Sequence, residues 1–227
     1  MTVLTCAAMV LFVGLGRWQW QRAERSRTLT QQFAQHAGAP PALGQRSIGS
    51  LPRYSTVQVR GQYDAQHQFL LENISHDGEP GYDVLTPLRL EDGRSLIVNR
   101  GWIPLTASRA QLPQVLFEPP RSLPLTGRLD NLPVPGIALG HAAPSPGPHW
   151  PKLTSFPTMQ DLAAVLQTPL EPRQLLLDAR EPFGYVRDWH PGGLTADRHV
   201  SYAVQWWGFA ALALILFVML NRRPKQR

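Results

Sequence analysis

The run from Asp197 to Arg223, DRHVSYAVQWWGFAALALILFVMLNRR, decides how the rest of the chain is read. Between Ala203 and Leu220 it holds 18 residues, of which only Gln205 is strongly polar. At 1.5 Å of rise per residue such a helix is roughly 27 Å long, close to the hydrocarbon thickness of a bilayer. Tyr202, Trp206 and Trp207 crowd one end, where amphipathic rings sit at headgroup level. Arg222, Arg223, Lys225 and Arg227 crowd the other. The stretch predicts a transmembrane helix over 199–220 with a basic cytoplasmic tail over 221–227. His199 stands about one turn outside the apolar span, on the side of the main body of the chain.

At the opposite end, Thr2 to Gly16 (TVLTCAAMVLFVGLG) is apolar but short, and Arg17 interrupts it beside Trp18 and Trp20. A cleaved signal peptide and a membrane helix compete for this segment. A signal wants a basic start, which is absent, so a first transmembrane helix over 1–20 fits better. An upstream end lost to a late start codon would account for its shortness. Two spans and a cytoplasmic tail place the intervening 21–198 outside the cytoplasm. Arg17, Arg22, Arg25 and Arg27 fall on that outer side against the usual charge bias, which long translocated domains escape.

The formal net charge of +6 does not indicate a nucleic-acid partner. Four of the 22 Lys and Arg lie after Leu220, and the remaining 18 face 16 acidic residues, an ordinary soluble surface. A single cysteine, Cys6, excludes a disulfide within the chain and any Cys-x-x-Cys redox or copper-carrier site. With 22 Pro and 18 Gly, turns and short strands are expected rather than a helical bundle.

The middle of the chain has strand signals in series. Val57 and Val59 alternate with polar neighbours in Arg53 to Gly61. Further strands are expected at Gln68 to Glu72, Tyr82 to Leu90, Arg94 to Val98, Leu123 to Leu129 and Gln174 to Asp178. Asp92-Gly93 supplies the positive φ of a hairpin turn. Thr158 with Asp161 three residues on marks a helix start, followed by an apolar face at Leu162, Val165 and Leu166. Leu132 to Pro151 carries six prolines after Leu132 and three glycines, and reads as loop. The expected fold is α+β: a compact β-rich extracytoplasmic domain with one or two short helices, flanked by two transmembrane helices.

No zinc-protease, nucleophile-elbow, phosphate-loop or dinucleotide motif is present. Of seven histidines, His36, His67, His76, His141 and His149 sit in loop-like stretches without metal-ligand spacing, and His190 precedes a Pro-Gly-Gly turn. His199 differs by position. On a helix it shares a face with Tyr202, Ala203 and Trp206 by three-and-four spacing. A neutral imidazole among rings at a membrane boundary suits a haem-iron ligand, and equally an interfacial anchor. Gln19 and Gln205 lie at the inner edges of the two spans, where an amide either bridges helices or meets headgroups.

Several of these residues group into a known pattern. Leu15-Gly16-Arg17-Trp18-Gln19 with Arg22 resembles the end of the first span in the Surfeit locus protein 1 family, assembly factors for cytochrome c oxidase. Gly81-Tyr82 through Thr86-Pro87-Leu88, Asp92-Gly93-Arg94 and Val98-Asn99-Arg100-Gly101-Trp102-Ile103-Pro104 resemble its central signature. Arg198-His199-Val200-Ser201-Tyr202-Ala203-Val204-Gln205-Trp206 resembles its closing motif. The likeness runs from about Leu11 to Arg223; the short first span and the loop at 132–151 depart from it.

The resemblance implies a non-enzymatic chaperone of respiratory-chain biogenesis in a bacterial inner membrane, with its main domain periplasmic. It also implies binding of haem a, insertion of that haem into oxidase subunit I, and haem a synthase as a further partner. The family's candidate axial ligand falls on His199. By position, Trp206 would stack on the macrocycle, Tyr202 would orient the imidazole or meet a propionate, and Arg198 would pair with a propionate. Asn99 and Arg100 have two readings: a partner surface, or a buried turn whose arginine pairs with an internal acid. Two rival functions remain, a haem-free scaffold for nascent subunits and a membrane-anchored sensor or enzyme using the 132–151 loop.

Overall fold

The computed structural model describes residues 2–35, 42–43, 46–105, 112–134 and 142–221. The basic tail residues Arg222, Arg223, Lys225 and Arg227, and the histidines His36 and His141, lie outside the described residues. Two compact units emerge, a helical one from 1–35 with 190–227 and a sheet unit over 36–189.

In the sheet unit the alternating segments become seven strands in one sheet. They are β1 (Thr56–Tyr63), β2 (Phe69–His76), β3 (Glu79–Leu90), β4 (Ser95–Pro104), β5 (Leu123–Asp130), β6 (Lys152–Thr154) and β7 (Leu170–Leu177). The order is β1-β5-β7-β4-β3-β2-β6, with β1 also paired to β3. That extra pairing closes five strands into a barrel, because the 12-residue β3 serves two neighbours along one edge. Its first part pairs with β2 through Leu85, and its last part pairs with β1 from Leu88 to Leu90. Closure removes exposed edges from the ring. Val57, Val59, Leu88, Leu125 and Leu175 fill the interior. Alternation sends the intervening side chains outward.

Thr158 caps the short helix between β6 and β7, α2 (Met159–Leu166). Its hydroxyl accepts from the Asp161 amide at 3.1 Å, and the Asp161 carboxylate accepts from the Thr158 amide at 2.7 Å. Leu162 is thereby turned onto Phe69, Leu85 and Ile97 on the outside of the barrel. Gly93 has φ of +88°, as the hairpin turn after β3 requires. The strand β6 follows directly on the expected loop and pairs in parallel with β2; three residues are too few to show a period.

The Val98–Pro104 segment is neither a turn nor a surface. It completes β4, and Asn99 and Arg100 are both 2% exposed. The Asn99 amide donates to Asp83 at 2.9 Å, while its oxygen accepts from the Gly101 amide at 3.1 Å. Gly101, at φ +110°, lets the Val186 carbonyl come within reach of the strand, where a Cβ would collide. The Arg100 guanidinium has no carboxylate partner among the described residues, which corrects the expectation of an internal acid. It donates to the Phe183 carbonyl at 2.6 Å and to Gln68 Oε1 at 2.8 Å. Phe117 lies 3.8 Å beneath it and Tyr185 at 5.0 Å. Aromatic faces and neutral acceptors replace a counter-ion, as a planar, weakly hydrated cation permits.

The helices at the two ends are α1 (Thr2–Gln35) and α3 (Ala196–Asn221). Both are long and apolar enough to cross a membrane. Leu4, Val10, Leu212 and Ile215 among others stand exposed on them, an apolar surface that suits lipid. The helix α1 continues well beyond Trp20 because Arg17 to Gln35 contains no Gly or Pro and is rich in Arg and Gln.

Two outcomes follow for the sheet unit. Arg100→Lys keeps the charge but loses the planar stack and the fork of donors, and should cost about 2 kcal/mol, read as a lower Tm. A Tm equal to wild type would contradict the cage. Burial pushes the Asp83 carboxyl above the usual 3.8, against the pull of Asn99 and His76. Its stabilising contribution is therefore complete below that ordinary value and is lost as pH rises through the elevated one. Asp83→Asn should flatten this slope and match or exceed wild-type Tm at pH 7; an unchanged pH profile would count against it.

Candidate functional site

The site grows from a repeat along the two long helices. On α1 the less exposed positions include Phe12, Gly16, Gln19, Ala23 and Ser26, in steps of four and three. On α3 they include His199, Ala203, Trp206, Ala210 and Ala213, in the same steps. A sustained 3.5-residue period makes a helix-pair seam, and small residues within it let two backbones approach closely. Gly16, Ala23, Ala203 and Ala210 are all buried. A Cβ on Gly16 would run into the Trp207 indole. That ring also packs on Trp20, with centroids 5.9 Å apart. One turn further along the seam, Phe12 stacks on Trp206 at 5.8 Å and 25°.

At the hydrophilic end of this seam, His199 Nδ1 lies 2.8 Å from Gln19 Oε1. With the amide oxygen as acceptor Nδ1 is the donor, and in the neutral ring Nε2 is then the nitrogen left with a lone pair. The two residues are 180 positions apart in sequence, and His199 is half-buried. A second tie closes the same end: the Ser26 hydroxyl donates to the Leu194 carbonyl at 3.2 Å. Arg22 stands over Trp18 at 5.2 Å and Arg27 over Trp20 at 5.8 Å, so two of the arginines after the first span cover indoles.

The sequence-expected residues fall into two groups. His199 and Trp206 lie on the seam. Arg198 and Tyr202, one turn apart, stand exposed beside it and make no hydrogen bond or ion pair among the described residues. Trp206 is already stacked on Phe12 and edged by Phe209 at 80°, which makes it a wall of the helix pair. Of the two amides, Gln19 bridges the helices and Gln205 faces outward. Gly16 had no assigned role from sequence; the signal available was its place in the repeat of small residues four and three apart. For an iron ligand the chemistry fits: the free nitrogen is the one opposite the bridged nitrogen, an arrangement common to metal-binding imidazoles.

The SURF1 family pattern matches residues 6–211, a span that takes in Gln19, the whole barrel and His199. The chain is similar to a SURF1-like protein of Dictyostelium discoideum, 31% identical over 121 residues, 48% of this chain and 45% of that protein. That alignment spans less than half of the relative's length. It is also similar to a SURF1-like protein of Monosiga brevicollis, 24% identical over 238 residues, 96% of this chain and 86% of that protein.

Gly16→Leu should force the Trp207 ring off α1 and part the helices, at about 1–3 kcal/mol for overpacking. The near-ultraviolet circular dichroism of the paired aromatics should weaken, with the far-ultraviolet helix signal retained. An intact near-ultraviolet spectrum would show that the seam does not need that glycine.

Proposed function

The chain belongs to the SURF1 family, and from this we propose that it assists assembly of a haem-copper cytochrome c oxidase by holding haem a at His199 for delivery to subunit I. Family membership carries the oxidase-assembly role. The haem step is supported by one observation above the rest, the Gln19–His199 hydrogen bond, which engages Nδ1 and leaves Nε2 as the nitrogen open to iron. Haem is here the cargo. A hydrophobic macrocycle partitions into lipid, so a ligand at the end of an apolar helix pair meets it at the bilayer edge. Arg198 and Tyr202, exposed one turn apart, are available for its propionates. In this reading the protein resides in a bacterial inner membrane with the barrel on the periplasmic side, and haem a synthase hands over the pigment. No bond-making chemistry is assigned to the chain.

The same hydrogen bond also suits a haem-free scaffold, in which Gln19 and His199 serve only to lock the helices. The two readings separate experimentally. His199→Ala, purified from cells that make haem a, should lose the haem absorption bands of the wild-type protein while its circular dichroism stays unchanged. Gln19→Leu should weaken retention by about ten- to a hundredfold, the usual consequence of removing the group that orients a ligating imidazole. Full haem content in folded His199→Ala protein would leave the scaffold as the working function.

A further inference from the structure

The Pro- and Gly-rich segment before β6 folds back onto the sheet in its described part, residues 142–151. Ala142 bridges Ser155, and the Ser145 amide donates to the Leu153 carbonyl at 2.9 Å. Its described part roofs a cavity of about 940 Å³, whose far wall is the end of α2 at Val165 and Leu166. The floor is the outer face of β1, β3 and β4. Leu88 and Leu90 point into the barrel, so Arg89 between them points out. Arg89 lies opposite Gln62 on β1 and opposite Ser95 on β4, and all three border the cavity.

The polar groups of this cavity are uneven. Asp64 is the one carboxylate on its wall, and both of its oxygens are engaged. Oδ1 accepts the Gln66 and His67 amides at 3.3 Å each, and Oδ2 binds His67 Nδ1 at 2.7 Å. The imidazole is thereby fixed edge-on to Trp150, with ring centres 4.8 Å apart, and Nδ1 is committed to Asp64. Lys152 is 5% exposed; its ammonium donates to the Ser145 and Gly147 carbonyls at 2.9 and 2.7 Å. These two bonds tie the roof down and leave its charge uncompensated by any acid among the described residues. Arg89 is exposed and makes no ion pair or hydrogen bond among the described residues. Two cations thus border a space whose one carboxylate among the described residues is held by His67 and two backbone amides. Trp150, Val165, Leu166 and Pro144 supply apolar wall.

We infer that this cavity binds an organic oxyanion, a carboxylate or phosphate monoester carried on a compact apolar body. Arg89 takes the head, and Trp150, Val165 and Leu166 take the body. The site belongs wholly to the sheet unit and does not depend on haem binding at His199.

The test is isothermal titration calorimetry of the full chain in lipid nanodiscs, with empty nanodiscs subtracted. Benzoate and phenyl phosphate are the probes; benzyl alcohol and inorganic phosphate are controls that lack the charge or the body. At least one probe should bind, about tenfold or more tightly than either control. Whichever binds tighter identifies the head. Arg89→Gln, at an exposed position, should weaken that probe about tenfold with Tm unchanged. The inference is overturned if neither probe binds, if benzyl alcohol binds equally well, or if Arg89→Gln binds like wild type.

Discussion

How closely α1 and α3 can run decides what the helical unit can do. At Gly16 the missing side chain admits the Trp207 indole, and at Ala203 a methyl is all that fills the seam. Only with the backbones that near can a glutamine on one helix reach an imidazole on the other at 2.8 Å. A larger residue at either place would leave both groups present and the bond between them broken. The chemistry available to His199 is thus set by small residues that never touch it, a dependence usual where packing rather than lipid exclusion joins membrane helices.

The sheet unit solves a different problem, how to close a barrel whose plug is a cation. Arg100 is buried without an acid, and the chain compensates with Phe117, Tyr185, Gln68 and a carbonyl from the segment after β7. That segment is itself held by Arg187, which donates to the carbonyls of Asp178 and Glu181 at 2.7 and 2.8 Å. One arginine organises the loop that the other needs. Lying flat on a ring is cheap for a guanidinium and unavailable to an ammonium, so position 100 is not a generic basic residue.

Much of the fold was legible because its signals are local. Val57 and Val59 alternate in plain view, Gly93 announces its turn, and Thr158 with Asp161 marks the α2 boundary to the residue. What could not be read depends on partners distant in sequence. Barrel closure rests on Gly61 meeting Leu90 and Gly127 meeting Leu177. The Arg100 cage draws on Phe117 and Tyr185, neither of which carries a local mark of that role. At the candidate site, both amides looked equivalent from sequence, and only the helix rotation distinguishes inward Gln19 from outward Gln205. The 3.5-residue spacing of Gly16, Ala23, Ala203 and Ala210 was present in the letters, but a continuous apolar span hides a seam until the partner helix is known.

The place of β7 in the ring has a consequence for the order of birth. It sits between β5 and β4, antiparallel to one and parallel to the other, although it is the last strand made. Until residue 177 has left the ribosome, β4 and β5 are left with raw margins, and no earlier part of the ring can seal itself. Such late, long-range pairing is slow and leaves adhesive edges on show. The newborn chain therefore spends most of its synthesis as an open sheet, and can begin to seal its barrel only when little more than the second helix remains to be made.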